Sequence, residues 1–249
     1  MTRYLLIIGA QRCGTTYLYQ VLDEHPEIAM AKPSRPEPKF FLNPEKWRKG
    51  LAWYEATFFA GADGFPVHGE KSTSYIESAT AAERAVGMIS DADVLVMLRD
   101  PIDRAISNWR FTTASGLEDR SVEQALAENL ERPQPWDRST TSVSPFAYLE
   151  RGRYVDYLTP WQRLFSGRLH VLFLEEFAGD VDAVARLYRA IDVDPAFRPP
   201  SLSARINVAK PSAACISPSL RQRLHSYFKE SNDQLRDELG RELPWNLTN

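Results

Sequence analysis

The stretch YLLIIGAQRCGTT, residues 4–16, joins a short apolar run to a glycine-bounded turn. The run YLLIIG predicts a buried strand, because parallel strands covered on both faces are almost continuously hydrophobic. Gly9 and Gly14 bracket four residues, and the apolar spacing after Thr15 predicts a helix that ends before Pro26. A strand, a tight turn and a helix N-terminus form the geometry that binds phosphate through backbone amides. The stretch therefore predicts an α/β fold with a phosphate site in its first loop.

This turn differs at one position from the loop of nucleotide triphosphatases. Those loops have a lysine after the second glycine, whereas this chain has Thr15 followed by Thr16. The positive charge of the turn is at Arg12, from where it is expected to reach a bridging or leaving oxygen of the ligand. A glycine-bounded turn also occurs as a purely structural element, so this alternative stays open at the level of the motif alone.

Three more short apolar runs follow, separated by helical patterns. The runs FPVHGEKS, DVLVMLR and LHVLFLEEF predict strands, and Pro101 opens a helical pattern that continues through Trp109. Amphipathic helices are predicted over 180–191 and 217–239, and both are expected to pack on the sheet. The alternation predicts a three-layer α/β/α fold with a central, mainly parallel sheet. Because 249 residues with 43% hydrophobic content suffice for one full-sized core, a single domain over 1–249 is expected.

Composition and charge argue against several classes of function. The net charge is −3, so nucleic acid is not an expected partner. Cys13 and Cys215 show neither metal-ligand spacing nor a disulfide framework, which favours a reducing compartment, and a cytoplasmic protein is expected. The early apolar run is too short to span a membrane and is followed at once by Gln11 and Arg12, so neither an anchor nor an export signal is expected.

A second candidate anion site lies in the stretch MLRDPIDRAISNW. Arg99 follows a predicted strand, at the edge where open α/β sheets place their ligands. In the next helix Arg104 and Ser107 are three residues apart, so both are expected to share an anion with Arg99. In a structural alternative, Asp100 and Asp103 simply pair with the two arginines on a solvated surface.

Together these stretches resemble the two nucleotide motifs of the sulfotransferases that use 3′-phosphoadenosine 5′-phosphosulfate. GAQRCGTT is similar to the loop that holds the 5′-phosphosulfate, and RDPIDRAIS to the arginine and serine signature for the 3′-phosphate. EPKFF and GEKSTSY resemble segments of the carbohydrate-type members, which include the heparan sulfate enzymes, and RGRYVDYLTPWQRLF is also similar to the family. The resemblance runs from Leu5 to about Phe177. NVAKPS, residues 207–212, only loosely resembles a loop that covers the nucleotide.

The resemblance implies which residues bind the nucleotide. Relatives usually have lysine at the position of Arg12, thought to follow the charge that moves onto the leaving phosphate, and arginine supplies this charge in a planar fork. Lys39 occupies a place where some relatives have histidine. The residues expected at the 5′ side are Gln11, Arg12, Cys13, Gly14, Thr15 and Thr16, and those expected at the 3′-phosphate are Arg99 and Ser107.

The resemblance also implies a catalytic set for sulfuryl transfer, which needs a deprotonated acceptor hydroxyl and stabilisation of charge on the bridging oxygen, but no metal. Glu37 falls where the carbohydrate-type enzymes keep their catalytic base, and Lys71 where they keep a second cation near the transferred group. Glu37 is expected to take the acceptor's proton, while Arg12 and Lys71 offset charge on the leaving group and the equatorial oxygens.

Alternatives stay open for these catalytic residues. Glu37 is flanked by prolines and also fits an exposed loop carboxylate, and Glu70 is able to neutralise Lys71 without any catalytic role. His68 is a rival base, because some soluble sulfotransferases use histidine, a residue that usually titrates near neutral pH. The four histidines show no metal-ligand spacing, so no metal is expected.

The sequence thus predicts an enzyme that transfers a sulfuryl group from 3′-phosphoadenosine 5′-phosphosulfate to a hydroxyl and leaves adenosine 3′,5′-bisphosphate. A small-molecule, glycosidic or carbohydrate acceptor is favoured over a long sulfated polymer, which would need a broad basic groove. The alternatives are an ATP-dependent small-molecule kinase and a nucleotide sensor without catalysis. A kinase would have to work with Thr15 in place of lysine and with Arg99 where a magnesium carboxylate is expected. The Pro-, Ser- and Thr-rich stretch 131–146 is a candidate substrate lid.

Overall fold

The computed structural model describes residues 2–137, 139, 143–202 and 216–246. The described residues form two compact units, the first within 1–98 and 157–206 and the second within 99–156 and 207–249. The predicted nucleotide-covering segment 207–212 and part of the predicted lid lie outside the described residues. The single domain over 1–249 stays a prediction.

The first unit is built on a sheet of five strands whose neighbours all run parallel. Their order across the sheet is β2 (Ile28–Met30), β3 (Val67–Lys71), β1 (Arg3–Gly9), β4 (Asp93–Leu98) and β5 (Leu169–Phe173), which places β1 at the centre. In the register, Leu5 lies opposite Gly69 on one side and Asp93 on the other. With helices on both sides of this parallel sheet, the predicted α/β class is confirmed.

The described residues also form ten α-helices and three short 3-10 turns, the latter at Glu150–Gly152, Pro200–Leu202 and Pro244–Asn246. None of the helices in the described part of the chain is long and apolar enough to cross a membrane. The α-helices are α1 (Thr15–Asp23), α2 (Pro44–Trp47), α3 (Gly50–Phe58), α4 (Ala79–Val86), α5 (Pro101–Ala114), α6 (Val122–Glu131), α7 (Val155–Leu164), α8 (Leu174–Phe177), α9 (Val181–Ala190) and α10 (Pro218–Leu239).

The end of the last strand differs from the prediction. The apolar run LHVLFLEEF predicts one strand over 169–177, but the strand ends at Phe173 and α8 follows directly. Glu175 and Glu176 lie in the first turn of α8, where negative charge is favourable because helical N–H groups point outward there. The edge strand β2 was not predicted, since three residues are too few for a periodic signal.

The second unit has its own apolar core among α5, α6 and α10. The C-terminal helix is predicted to pack on the sheet, but its apolar stripe packs on the two helices of its own unit. Ser217 caps α10 by accepting from the amide of Leu220, and the carboxylate of Glu123 in α6 accepts from the Ser217 hydroxyl. The core side chains are Ile102, Ala105 and Ile106 from α5, Val122, Ala125 and Leu126 from α6, and Leu220, Leu224 and Phe228 from α10.

Candidate functional site

The loop after β1 is a tight turn that leads directly into α1. The amide of Ala10 donates to the Met97 carbonyl at 2.8 Å, which ties the loop to the carboxyl end of β4. Gly14 is the helix cap at φ 84°, and no side chain caps the helix. The first turn of α1 contains no acidic residue. Because the first amides of a helix have no intrahelical acceptors, this N-terminus has the chemistry of an anion site.

Two glycines make room for this turn. A Cβ at Gly9 would lie 2.7 Å from Cγ2 of Ile76, and a Cβ at Gly14 would lie 2.6 Å from Cδ1 of Leu174. Gly14 has the further constraint of its positive φ, which side chains with a Cβ rarely adopt. Glycine is therefore favoured at both ends of the loop, at Gly9 by packing and at Gly14 mainly by the backbone conformation.

Gly14→Ala is expected to weaken adenosine 3′,5′-bisphosphate binding and to destabilise the fold by about 2–3 kcal/mol, since left-handed strain and overpacking add. Thermal unfolding and calorimetric binding measure the two effects. Gly61→Ala is the matched control, because Gly61 has a φ of +82° but nothing within 4 Å of its Cβ position. Equal losses of stability in the two variants would show that the contact with Leu174 is unimportant.

The other predicted loop residues have different environments. Gln11 donates from Nε2 to the Ser74 hydroxyl at 3.0 Å. Arg12 is exposed and adopts a φ of 69°, which turns the chain within the loop. Cys13 is fully buried, and its Sγ lies 3.7 Å from the Gln11 carbonyl. Thr15 is buried and Thr16 is exposed.

Glu37 is bound by Lys71 and Thr73. Nζ of Lys71 donates to Oε1 of Glu37 at 2.6 Å, and the amide of Thr73 donates to Oε2 at 3.0 Å. The Thr73 hydroxyl lies 3.1 Å from both carboxylate oxygens. The side chains of Lys71 and Glu37 are 7% and 17% exposed, so the ion pair is largely shielded from water. Glu37 is therefore a fixed carboxylate beside a lysine rather than an exposed loop residue.

The segment 72–76 contacts both this carboxylate and the glycine-bounded loop after β1. The amides of Ser72 and Ile76 donate to carbonyls of β1, each at 3.0 Å. Ser74 in the same segment accepts from Gln11, and Thr73 holds Glu37. The structure thus joins the first predicted anion loop and the predicted base through five consecutive residues.

Glu70 lies on the opposite side of β3 from Lys71, because successive side chains of a strand alternate between faces. It is fully buried and accepts from the hydroxyls of Tyr54, Ser72 and Tyr75. Burial raises the pKa of Glu70, the three hydroxyl donors oppose this shift, and the charge of Glu37 adds to it. The alternative in which Glu70 neutralises Lys71 is wrong, since Lys71 pairs with Glu37.

His68, the rival base, has a structural environment. It is the second residue of β3, and its Nδ1 lies 2.8 Å from the Glu55 carboxylate. Its ring stacks on Phe59 at a centroid distance of 4.5 Å. Three residues further along the strand, Lys71 contacts Glu37. These contacts favour Glu37 over His68 as the base.

In the second unit, Arg99 and Ser107 flank the first two turns of α5. Arg99 pairs with Asp103 at 3.3 Å, and the side chains are 26% and 48% exposed. A pair this exposed contributes about 0–1 kcal/mol, so an anion can displace it at little cost. Asp100 caps α5 by accepting from the Ile102 amide at 2.7 Å. Ser107 is half-buried.

The prediction that Arg104 shares an anion with Ser107 is wrong. Arg104 is fully buried and donates to the carbonyls of Ala147 and Tyr148. Asn108, one turn further along α5, donates to the Pro145 carbonyl at 2.7 Å. The inward face of α5 therefore fixes the backbone of 145–148, and the guanidinium of Arg104 has a structural role.

A cavity of about 620 Å³ lies in the second unit and contains none of the predicted site residues in its wall. Arg120 lies in its wall and forms ion pairs with two other wall residues, Glu118 at 2.6 Å and Glu128 at 2.6 Å. Among the residues that the structure describes, no group of three or more histidine, cysteine or acidic side chains is arranged to hold a metal ion.

Neither the contact of Thr73 with Glu37 nor the hydroxyls around Glu70 were predicted from the sequence. The only signal was the hydroxyl-rich run STSY that follows Glu70 and Lys71. Such a run gives no indication of which hydroxyl reaches a residue more than 30 positions away.

Known proteins match this chain over most of its length. The sulfotransferase domain family matches residues 2–189. Heparan sulfate glucosamine 3-O-sulfotransferase 3A1 of Mus musculus is 30% identical over 161 residues, which are 64% of this chain and 37% of that protein. Bifunctional heparan sulfate N-deacetylase/N-sulfotransferase 1 of Homo sapiens is 39% identical over 113 residues, 44% of this chain and 13% of that protein. The chain thus spans well under half the length of these relatives.

A solved structure agrees with the sequence matches. The crystal structure of a sulfotransferase from Alicyclobacillus acidocaldarius superposes with a TM-score of 0.79 at 26% identity, covering 98% of this chain and 97% of that one. The predicted family is confirmed by these matches. Together with the glycine-bounded loop and the parallel sheet, these matches show that the chain belongs to the sulfotransferase family.

Proposed function

We propose that this chain transfers a sulfuryl group from 3′-phosphoadenosine 5′-phosphosulfate to a hydroxyl of a small-molecule or carbohydrate acceptor, with Glu37 as general base. One observation carries the proposal: segment 72–76 ties the Glu37 carboxylate and its lysine partner to the glycine-bounded loop after β1. Family membership supports the same reaction class.

The first loop fits the 5′ end of such a donor. Its glycines leave space that a Cβ would fill, and the helix N-terminus has no side-chain cap. Arg12 adds a cation that suits a developing phosphate charge, although its fork differs from the lysine usual in relatives. The donor supplies the sulfuryl group and a bisphosphate leaving group. Gln11, Cys13, Thr15 and Thr16 complete the proposed 5′ contacts.

Glu37 and Lys71 divide the work at the acceptor. The carboxylate of Glu37 takes the acceptor's proton when the hydroxyl attacks. Once Glu37 is neutral, the ammonium group of Lys71 loses its counter-ion and is available to stabilise negative charge on the transferring group. Thr73 keeps the carboxylate in place through its amide and hydroxyl. Proton uptake and charge stabilisation are therefore coupled through a single ion pair.

The proposed acceptor is a hydroxyl of a sugar or another small molecule. The relatives are named for sulfation of heparan sulfate, which supports a carbohydrate. The net charge of −3 favours a short acceptor over a long polyanion. A cytoplasmic location, supported by the cysteine pattern, belongs to the same proposal.

The direct test incubates the protein with the phosphosulfate donor and a panel of hydroxyl compounds, including mono- and disaccharides and phenols. Mass spectrometry then detects products that gain one sulfuryl group, together with stoichiometric adenosine 3′,5′-bisphosphate. Transfer to at least one hydroxyl is expected. Transfer to amines alone would refute the proposed acceptor class.

Arg99 and Ser107 are proposed to bind the 3′-phosphate. Arg99→Ala should weaken adenosine 3′,5′-bisphosphate binding by about 10- to 100-fold, since a hydrogen bond to a charged group contributes about 1.5–3 kcal/mol. Binding of adenosine 5′-monophosphate, which lacks that phosphate, should change little. Arg223→Ala, which removes an exposed arginine of α10, is the control for net charge. An unchanged dissociation constant in Arg99→Ala would refute the phosphate role.

A further inference from the structure

The Glu70 carboxylate is the most deeply buried acidic group of the first unit that the proposed chemistry does not use. It is fully buried and accepts three hydroxyl hydrogen bonds. Tyr54 donates to Oε2 at 2.7 Å, whereas Ser72 and Tyr75 both donate to Oε1, at 2.5 Å and 2.6 Å. A buried carboxylate is costly unless it is well bonded, and the three hydroxyls supply these bonds to Glu70.

Two of the three hydroxyls also accept hydrogen bonds from backbone amides of the segment 37–41, which contains Glu37. The amide of Lys39 donates to the Ser72 hydroxyl at 2.8 Å, and the amide of Phe41 donates to the Tyr75 hydroxyl at 3.1 Å. A hydroxyl that donates its own proton to a carboxylate becomes a better acceptor, because hydrogen bonds in a chain polarise one another. Oε1 of Glu70 therefore orients both acceptors toward the segment 37–41.

Lys39 needs this support more than its neighbours do. Its φ of 49° lies in the left-handed region, which residues with a side chain rarely adopt. The aromatic side chains after it add packing, since the rings of Phe40 and Tyr54 lie 4.6 Å apart and those of Phe41 and Tyr75 lie 5.7 Å apart. The hydrogen bonds of Glu70 with Ser72 and Tyr75 thus stabilise the backbone conformation that directs Glu37 toward Lys71 and Thr73.

We propose that Glu70 is a positioning residue for Glu37, acting through the hydroxyls of Ser72 and Tyr75 on the amides of Lys39 and Phe41. The inference rests on the proposed role of Glu37 as base. It assigns Glu70 no contact with donor or acceptor. We call these hydrogen bonds from Glu70 through Ser72 and Tyr75 to the two amides the relay. Tyr54 also donates to Glu70 but is not part of the relay.

The chain provides a matched set of variants for the test. Tyr75→Phe and Tyr54→Phe each remove one hydroxyl donor from Glu70 and keep the ring, but only Tyr75→Phe breaks a link to the segment 37–41. Ser72→Ala breaks the other link. Each variant is measured for kcat, for adenosine 3′,5′-bisphosphate affinity, for thermal unfolding and for hydrogen exchange at the Lys39 and Phe41 amides.

Tyr75→Phe and Ser72→Ala should lower kcat by about tenfold or more with bisphosphate affinity unchanged, because small displacements of a catalytic group cost rate rather than donor binding. Exchange should become about tenfold faster at Phe41 in Tyr75→Phe and at Lys39 in Ser72→Ala. Tyr54→Phe should lower the unfolding temperature to a similar extent but leave kcat and both amides close to the parent values.

Equal loss of kcat in Tyr54→Phe and Tyr75→Phe would overturn the proposal, because it would reduce Glu70 to a stability element. Unchanged exchange at both amides would overturn it as well. Hydrogen exchange at the Lys39 and Phe41 amides is measured without any turnover. The proposed role of Glu70 can therefore be refuted even if Glu37→Gln abolishes activity. Conversely, exchange could become faster in Tyr75→Phe and Ser72→Ala while Glu37→Gln keeps full activity. That result would support the hydrogen-bonded connection from Glu70 to the segment 37–41 but refute Glu37 as the base.

Discussion

Glu37→Gln is expected to lower kcat by about 10²- to 10⁴-fold while adenosine 3′,5′-bisphosphate binding changes by less than about twofold. Glutamine keeps the shape of the side chain and can still accept from the Thr73 amide, so the segment 37–41 should not move. What it loses is the capacity to take the acceptor's proton. Steady-state kinetics with a hydroxyl acceptor, together with calorimetric binding of the bisphosphate, measure the two quantities.

The control for this variant is Glu83→Gln, which makes the same chemical change at an exposed position of α4. It should leave both kcat and binding at parent values. A Glu37→Gln enzyme that turns over at the parent rate would remove the base assignment, and a chain that binds nucleotide without catalysis would then be the better description. Loss of nucleotide binding along with turnover would point to a structural role for Glu37.

Lys71→Met should produce the second large effect, on both rate and stability. We expect kcat to fall by about 10²- to 10³-fold, as when a preorganised donor to developing charge is removed. The fold should lose about 3 kcal/mol, at the low end for a broken buried pair, because Thr73 still donates two groups to Glu37. For a chain of this size that corresponds to a Tm lowered by roughly 6–12 °C.

The double variant Glu37→Gln/Lys71→Met separates the ion pair from the lysine alone. Its stability should be higher than that of Lys71→Met, since no uncompensated carboxylate remains. The double-mutant cycle should give a coupling energy above about 1 kcal/mol. Additive losses within about 0.5 kcal/mol would mean that the 2.6 Å contact contributes nothing to the fold.

Most of the sheet could be predicted from the sequence, because buried parallel strands read as apolar runs bounded by polar residues. YLLIIG and DVLVMLR became the adjacent strands β1 and β4 at the centre of the sheet. The run ending in LEEF was misread since one apolar run fits a strand and a buried helix equally well. The C-terminal helix was predicted with nearly its observed ends, but its partners depend on tertiary packing that periodicity does not encode.

The candidate site likewise contains residues that could be predicted from the sequence and residues that could not. Residues fixed by local geometry, such as Gly14 at the helix cap and Arg99 after β4, could be located from the sequence alone. The partners of Glu37 could not, because Lys71 and Thr73 are 34 and 36 positions away in the chain. Arg104 was misplaced for a related reason: a helical spacing gives two faces, and only packing decides which one meets the core.

Calorimetric titration with adenosine 3′,5′-bisphosphate and, separately, with ATP and magnesium tests the central claim most directly, because it needs no knowledge of the acceptor. Tight binding of the bisphosphate with weak or absent binding of ATP is expected from a loop with Thr15 in place of the triphosphatase lysine. Preference for ATP with magnesium would contradict sulfuryl transfer as the function of this chain and would favour phosphoryl transfer instead.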